Sequence, residues 1–251
     1  MRILRRLLLG FVLLVVVASL AGVGLYLATK SVPEFYTVAL KFDAVSADQA
    51  GDELEQQVLE LHNELEQGKT WELVVTAEQV NGWLATDLEE KFPDLLPPEV
   101  CQPRVNFLDG ETHIACQLKT PQVDTVLSMA LEPYLTKEPN EVAIRVAYVR
   151  AGSVPVPLKG LLDKVSAAAI EAHLPLQWSQ SKGDPVALLR VPTDRPELES
   201  GIVIERIRVE DGKFYISGKA DESVDVSQYR DHALKFGSLA TQVEAIMNRQ
   251  P

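Results

Sequence analysis

An uncharged run of 22 residues, Leu7 to Ala28, most strongly constrains what this chain can fold into. At a rise of about 1.5 Å per residue, a helix of this length crosses a hydrocarbon layer of about 30 Å. Three arginines precede the run, whereas only Lys30 follows it before Glu34. Because basic residues stay on the cytoplasmic side of a membrane, the sequence predicts a single transmembrane helix with a cytoplasmic amino terminus.

A cleaved signal peptide is the alternative for this segment, since Ser19-Leu20-Ala21 offers small residues at a processing site. The chain stays apolar from there to Ala28, which makes the run longer than the core of a typical signal peptide. A retained anchor is therefore favoured. It predicts a single-pass protein of the inner (cytoplasmic) membrane, which contacts the bilayer through Leu7 to Ala28 and holds its main domain in the periplasm.

The composition excludes nucleic acid as a partner. The chain has 36 Asp and Glu against 24 Lys and Arg, for a net charge of −12, and proteins that bind nucleic acid need basic surfaces. Four histidines are scattered through the chain without metal-ligand spacing. The sequence therefore predicts no metal and no cofactor.

Catalytic motifs are also absent from the sequence. The nearest approach to a cluster is Ser166, Glu171 and His173 on one predicted helix. Ser166 and His173 are seven residues apart, and this spacing puts them two helical turns from each other, too far for a hydrogen bond. We expect a protein that is not an enzyme and has no catalytic residues.

Two cysteines, Cys101 and Cys116, flank one predicted hairpin whose turn contains Asp109-Gly110. A four-residue loop would place the cysteines opposite each other at a separation that a disulfide can bridge, whereas a two-residue loop would offset them by two positions. An oxidising compartment favours the bond. The sequence leaves open a disulfide and two separately buried thiols.

Hydrophobic spacing predicts three helices after the anchor and a closing helix in the tail from Ser227 to Gln250. The first follows the capping-box pattern Ser46-Ala-Asp-Gln49, ends at Gly68 and carries many acidic residues on its outer face. It is either a surface helix or a coiled-coil contact with a partner. The second helix begins at Thr76 and the third runs from about Leu158 to His173.

Alternating apolar residues predict the strands. Two hairpins, Pro103 to Leu118 and Gly201 to Lys219, share an Asp-Gly turn, and further strands are expected at 71–75, 142–149 and 176–191. Residues 33–41 read as extended. Residues 122–135 fit a helix and a strand equally well, so that the sequence leaves their structure open.

The helix opening Thr76-Ala-Glu-Gln-Val-Asn81 and the turn Ala151-Gly-Ser-Val-Pro-Val-Pro157 resemble the YpmS-like group of bacterial envelope proteins, over roughly Trp71 to Lys219. The resemblance implies a curved antiparallel sheet wrapped around long helices, similar to tubular lipid-binding domains, and a role in contact with lipid. The expected fold class is thus α+β: an N-terminal transmembrane helix followed by a curved antiparallel sheet packed with long helices. The expected segments are an anchor at 1–30, a linker and amphipathic helix at 31–70, the lipid-binding-like domain at 71–226 and a helical tail at 227–251.

Strands and helices with one apolar face each can enclose a slot that holds an acyl chain. Six apolar residues on the second and third helices are the candidates for its lining: Trp83, Leu84, Leu88, Leu161, Leu162 and Val165. Their alternative role is to fill a dry core. The sequence predicts a non-catalytic, membrane-anchored lipid-binding or envelope-maintenance module. The alternative is a scaffold that docks an envelope protein partner through its acidic helix or its C-terminal helix.

Overall fold

The structure is a computed structural model that describes residues 19, 22–24, 26–41, 43–67, 70–93, 95–171, 175–191, 201–210 and 212–221. Its helices are α1 (Glu34–Ala39), α2 (Ala44–Glu66), α3 (Ala77–Lys91) and α4 (Lys159–Glu171). Its strands are β1 (Thr70–Thr76), β2 (Val100–Leu108), β3 (Glu111–Lys119), β4 (Asp124–Leu135), β5 (Glu141–Ala151), β6 (Val154–Pro155), β7 (Leu176–Ser181), β8 (Asp184–Arg190), β9 (Gly201–Glu210) and β10 (Lys213–Asp221). The predicted tail at 227–251 lies outside these residues.

Two antiparallel sheets dominate the architecture. The larger has seven strands, with the order β2-β3-β4-β5-β8-β7 and the short β6 paired to β5, whereas the smaller has the order β1-β10-β9. Both predicted hairpins form, as β2-β3 and β9-β10. The open segment 122–135 is resolved as β4, because both of its neighbours in the sheet satisfy its backbone hydrogen bonds.

The core lies mainly between the two sheets. Ile202 and Ile204 of β9 pack with Val142 of β5, and Val209 at the other end of β9 packs with Phe107 of β2. The small sheet, with side chains of α2 and α3 in the same clusters, thus packs on the apolar face of the large sheet. The predicted α+β fold, with a sheet packed by long helices behind a transmembrane helix, is therefore wrong: the chain is mainly antiparallel sheet.

The predicted transmembrane helix is corrected as well. None of the helices in the described residues is long and apolar enough to cross a membrane. Most of the run from Leu7 to Ala28 lies outside those residues. The predicted single-pass location in the inner membrane, which depended on that helix, is withdrawn with it.

The N-terminal part of the described chain differs from the sequence prediction in one further place. Residues 34–39, expected to be extended, form α1. Pro33 precedes the first turn with a φ of −59°, where its missing N–H costs no helical hydrogen bond. The phenol of Tyr36 is buried against Ala115 and Val126, and this contact holds the short helix on the outer face of the large sheet.

Candidate functional site

The acidic helix α2 is held rigidly on the rest of the domain by close contact with α3. A Cβ added to Gly82 of α3 would lie 2.9 Å from the Cβ of Ala50 and 2.9 Å from the backbone nitrogen of Gly51, both on α2. The backbones of the two helices therefore approach more closely than larger side chains would allow. Ala47 and Ala50 of α2 are buried in this contact.

Polar contacts fix the same pair of helices further along. The indole N–H of Trp83 on α3 donates to Oε1 of Glu55 on α2 at 3.1 Å. The ammonium group of Lys91 on α3 pairs with Glu55 on α2 and so joins the two helices. The same group also pairs with Asp87 on α3, at 2.8 Å. The ammonium group of Lys91 donates to the carboxylates of Asp87 and Glu55, and these hydrogen bonds raise the pKa of Lys91, which stays charged.

The outer face of α2 combines carboxylates with exposed apolar side chains. Val45, Asp52 and Leu59 are seven residues apart and share one line of the helix. Val45 is 79% and Leu59 62% exposed. In the part of the chain that the structure describes, no lysine or arginine pairs with Asp48, Asp52 or Glu60, which are all exposed. This face therefore offers uncompensated negative charge beside apolar surface.

The predicted slot residues fall into two groups at opposite edges of the large sheet. Trp83, Leu84 and Leu88 lie on α3, where Leu84 joins the cluster around Phe107 of β2. Leu161, Leu162 and Val165 lie on α4, which packs beside β7. Strands β2 and β7 are the two ends of that sheet. The structure thus places three of these residues on each of two separate helices and does not bring the six together.

Two buried polar atoms near α2 have no hydrogen-bond partner among the described residues: Nε1 of Trp71 and Oε1 of Gln57. Trp71 is only 6% exposed and packs with Leu61 and Leu65 of α2 against the core between the sheets. An indole N–H buried without an acceptor is costly, at about 1 to 3 kcal/mol. The apolar contact between α2 and Trp71, which the sequence does not reveal, therefore contains an unpaired donor, the indole N–H of Trp71.

Both cysteines are free thiols and partly buried. The hairpin has the two-residue Asp109-Gly110 turn, which by itself would place Cys101 two positions away from Cys116. A bulge just after Cys101 reduces this offset to one position, so that Cys101 pairs with Gln117. A remaining offset of one residue sends the two side chains to opposite faces of the sheet. Burial, with a smaller contribution from Cys101, raises the pKa of the Cys116 thiol. Of the two alternatives, the structure has separate thiols.

A histidine and a tyrosine meet on the outer face of the large sheet. Nδ1 of His113 lies 3.2 Å from the hydroxyl of Tyr148, and its Nε2 lies 3.4 Å from Oε2 of Glu111. The two rings come from β3 and β5 and meet across β4 because the residue between them, Ala130, is small and fully buried. The sequence alone does not reveal this pair, since it depends on the register of three strands.

The neighbours of this pair determine what it can do. Phe35 of α1 lies edge-on to the His113 ring at a centroid distance of 5.8 Å, and the guanidinium of Arg150 lies 4.3 Å from the centroid of the Tyr148 ring. Burial raises the pKa of Tyr148, with Arg150 opposing the effect. The phenol is therefore neutral at pH 7 and can take part in hydrogen bonds but not act as a phenolate nucleophile.

Searches against family models, curated proteins and solved structures find no match for this chain. The resemblance to the YpmS-like group thus stays a prediction.

Proposed function

We propose that this chain is a non-catalytic interaction module that binds a basic, amphipathic helix on the outer face of α2. The observation that carries the proposal is the combination of rigid mounting and uncompensated charge. Gly51 and Gly82 fix α2 on the domain, so that little conformational entropy is lost when a partner binds. The alternative contact predicted from the sequence, the C-terminal helix, lies outside the described residues.

The chemistry of this face favours a particular kind of partner. Asp48 and Asp52 stand one turn apart between exposed Val45 and Leu59. A helix with lysines beside a leucine stripe matches both features, because the carboxylates steer the cations and the apolar side chains bury area. A cationic partner without apolar side chains would pair with the carboxylates but would leave Val45 and Leu59 exposed.

A titration with a synthetic amphipathic lysine-leucine peptide tests this proposal. Fluorescence anisotropy of the labelled peptide should report binding to the full chain, and the variant Asp48→Asn/Asp52→Asn should raise the Kd by about five-fold or more. The matched control is Glu89→Gln/Glu90→Gln, which removes the same charge from exposed positions on α3. Equal losses in the two variants would mean that the peptide responds only to net charge, and the proposal would fail.

The lipid-binding role is a second candidate, supported by the unpartnered Nε1 of Trp71. A fatty-acid carboxylate or a phospholipid ester could accept this hydrogen bond while its chain replaced the apolar contacts of Leu61 and Leu65. The site would then lie between α2 and the two sheets rather than between α3 and α4.

Quenching by a brominated fatty acid tests this second role. Trp71 fluorescence should be quenched in the variant Trp83→Phe/Trp178→Phe, in which Trp71 is the sole tryptophan, since the chain has three. Phospholipid should also be extractable from the purified full chain and detectable by mass spectrometry. Absence of both signals would contradict the lipid-binding role and leave the peptide result unaffected.

A further inference from the structure

The C-terminal tail, residues 227–251, has the sequence of an amphipathic helix. Its apolar residues alternate at spacings of four and three: Tyr229, Ala233, Phe236, Ala240, Val243 and Met247. This spacing is typical of a helix that packs lengthwise on another helix. The tail has three basic residues and two acidic ones, whereas the whole chain has a net charge of −12. The tail is therefore a weakly basic, amphipathic segment of an acidic protein.

The end of β10 places the start of the tail beside α2. Lys219, near the end of β10, pairs with Thr70, the first residue of β1. Helix α2 ends at Glu66, only four residues before Thr70. Residues 222–228, which join β10 to the tail, can span about 23 Å when extended. They reach the carboxyl-terminal end of α2, and from there the tail can run back along α2 in the antiparallel direction.

The tail and α2 match in length and in the positions of their apolar side chains. The apolar stripe of the tail spans 19 residues, about 28 Å as a helix, and α2, with 23 residues, is about 34 Å long. Eleven residues separate Phe236 from Met247, and eleven separate Leu59 from Asp48. In an antiparallel pair with Phe236 over Leu59, Met247 thus lies over the turn that contains Val45 and Asp48. This alignment covers both exposed apolar residues of the outer face.

The basic residues of the tail suit the carboxylates of α2. Lys235 and Arg249 are fourteen residues apart, so that they share one line of a helix beside the apolar stripe. In the same alignment Lys235 is level with Glu60, and Arg249 lies within one turn of Asp48. Both carboxylates are exposed, and neither pairs with a lysine or arginine among the described residues. The tail therefore offers cations beside an apolar stripe, the combination that suits this face.

We infer that the tail of this chain lies on the outer face of α2 and competes there with the partner helix. The inference rests on the proposed function, because it assigns a second occupant to the same face. Residues 222–228 keep the tail close to α2, so that it binds at a high effective concentration. A partner must displace the tail, and its apparent affinity is reduced by the fraction of chains in which the face is covered. The tail would thus exclude weak partners from the docking surface.

Carbodiimide cross-linking of the wild-type full chain tests where the tail lies. This reagent joins an amine to a carboxylate without a spacer, and Lys235 is the only lysine that follows Lys219 in the sequence. Mass spectrometry of the monomer should find Lys235 joined to carboxylates of α2, above all to Glu60. Phe236→Ser should lose this product. The matched control Leu234→Ser, about 200° from Phe236 around a helix, should keep it.

Anisotropy titrations with the lysine-leucine peptide test the competition. Phe236→Ser should lower the apparent Kd of the peptide by about five-fold or more, because the peptide no longer has to displace the tail. Leu234→Ser should leave the Kd unchanged. Neither substitution alters the charge of the chain, so that a difference between the two variants reports on the apolar stripe.

Three results would overturn the inference: Lys235 joined only to carboxylates outside α2, Lys235 joined to α2 only between two copies of the chain, or a measurable Kd that is the same in the wild type and in Phe236→Ser. A mixture of unlabelled and isotope-labelled chain identifies links between copies. Failure of the proposed function looks different, since then no variant, Phe236→Ser included, would bind the peptide. In that case the cross-links alone decide whether the tail lies on α2.

Discussion

The side chain of Asn81 makes with Val105 the two hydrogen bonds that the backbone of a neighbouring strand would make. Its Oδ1 accepts from the Val105 backbone N–H at 2.8 Å, and its Nδ2 donates to the Val105 carbonyl at 2.9 Å. Asn140 acts in the same way on β9, where it contacts the carbonyl of Ile202 and the N–H of Ile204. Helix α3 and the β4-β5 turn thus satisfy the backbone of two edge strands through one amide each.

Substitution Asn81→Ala should destabilise the fold strongly. It leaves a donor and an acceptor of Val105 unpaired at a position where Asn81 is only 6% exposed, and each unpaired group costs about 1 to 3 kcal/mol. Urea denaturation should show a lower free energy of unfolding for Asn81→Ala than for the wild type. The control Asn63→Ala, at an exposed site on α2, should change the free energy of unfolding by no more than about 0.5 kcal/mol. Similar values for the two variants would contradict the role of Asn81.

Two helical glycines should respond in opposite directions to alanine. Gly82→Ala places a methyl group against the backbone of α2, with Gly51 N only 2.9 Å away, so we expect a loss of about 1 to 3 kcal/mol. Gly160→Ala on α4 meets nothing within 4 Å and should stabilise the chain by about 0.5 to 1 kcal/mol. Thermal unfolding of both variants measures the difference. A stabilising Gly82→Ala would show that α2 is not tightly packed on α3.

The amino terminus of α2 should loosen in acid. Asp43 caps this helix by accepting from the N–H groups of Val45 and Ser46 at 3.1 Å. The Ser46 hydroxyl and then the Ser46 amide lower the pKa of Asp43 from its ordinary value of 3.8. Because the folded pKa is the lower one, the stabilisation is present above 3.8 and is lost as the pH falls through the folded pKa.

Amide exchange at Val45 and Ser46 measures this effect, which should be absent in Asp43→Asn. The asparagine keeps an acceptor oxygen at the cap but has no proton to gain. If exchange at these amides rises equally in the wild type and in Asp43→Asn as the pH falls, the loosening is due to groups other than Asp43.

Local sequence signals predicted local structure well. The Thr76 capping box forms as expected, with Gln79 N donating to the Thr76 hydroxyl and the Gln79 side chain accepting from the Thr76 backbone. The Asp-Gly turn of the first hairpin also forms, with Gly110 at a φ of +85°. At α2 the choice of cap was wrong: Asp43 takes the role expected of Ser46, because both residues can accept from an N–H and only packing selects between them.

Features that depend on long-range pairing could not be predicted. A strand and a helix both fit 122–135, and only the neighbours β3 and β5 decide between them. The sheet-on-sheet core depends on β9, which is far in sequence from the β2 and β5 residues that it covers. The meeting of His113 and Tyr148 likewise needs the register across Ala130. Periodicity shows which face of an element is apolar, but not which element covers it.

The most direct test of the central claim is to map the peptide on the isotope-labelled full chain by NMR. With the lysine-leucine peptide bound, backbone chemical-shift changes should be largest along the outer face of α2, from Val45 to Leu59, and small at Glu89 and Glu90 of α3. Changes concentrated on α3 or on the sheets, or changes spread evenly over all acidic surfaces, would contradict the claim that the outer face of α2 is a docking surface.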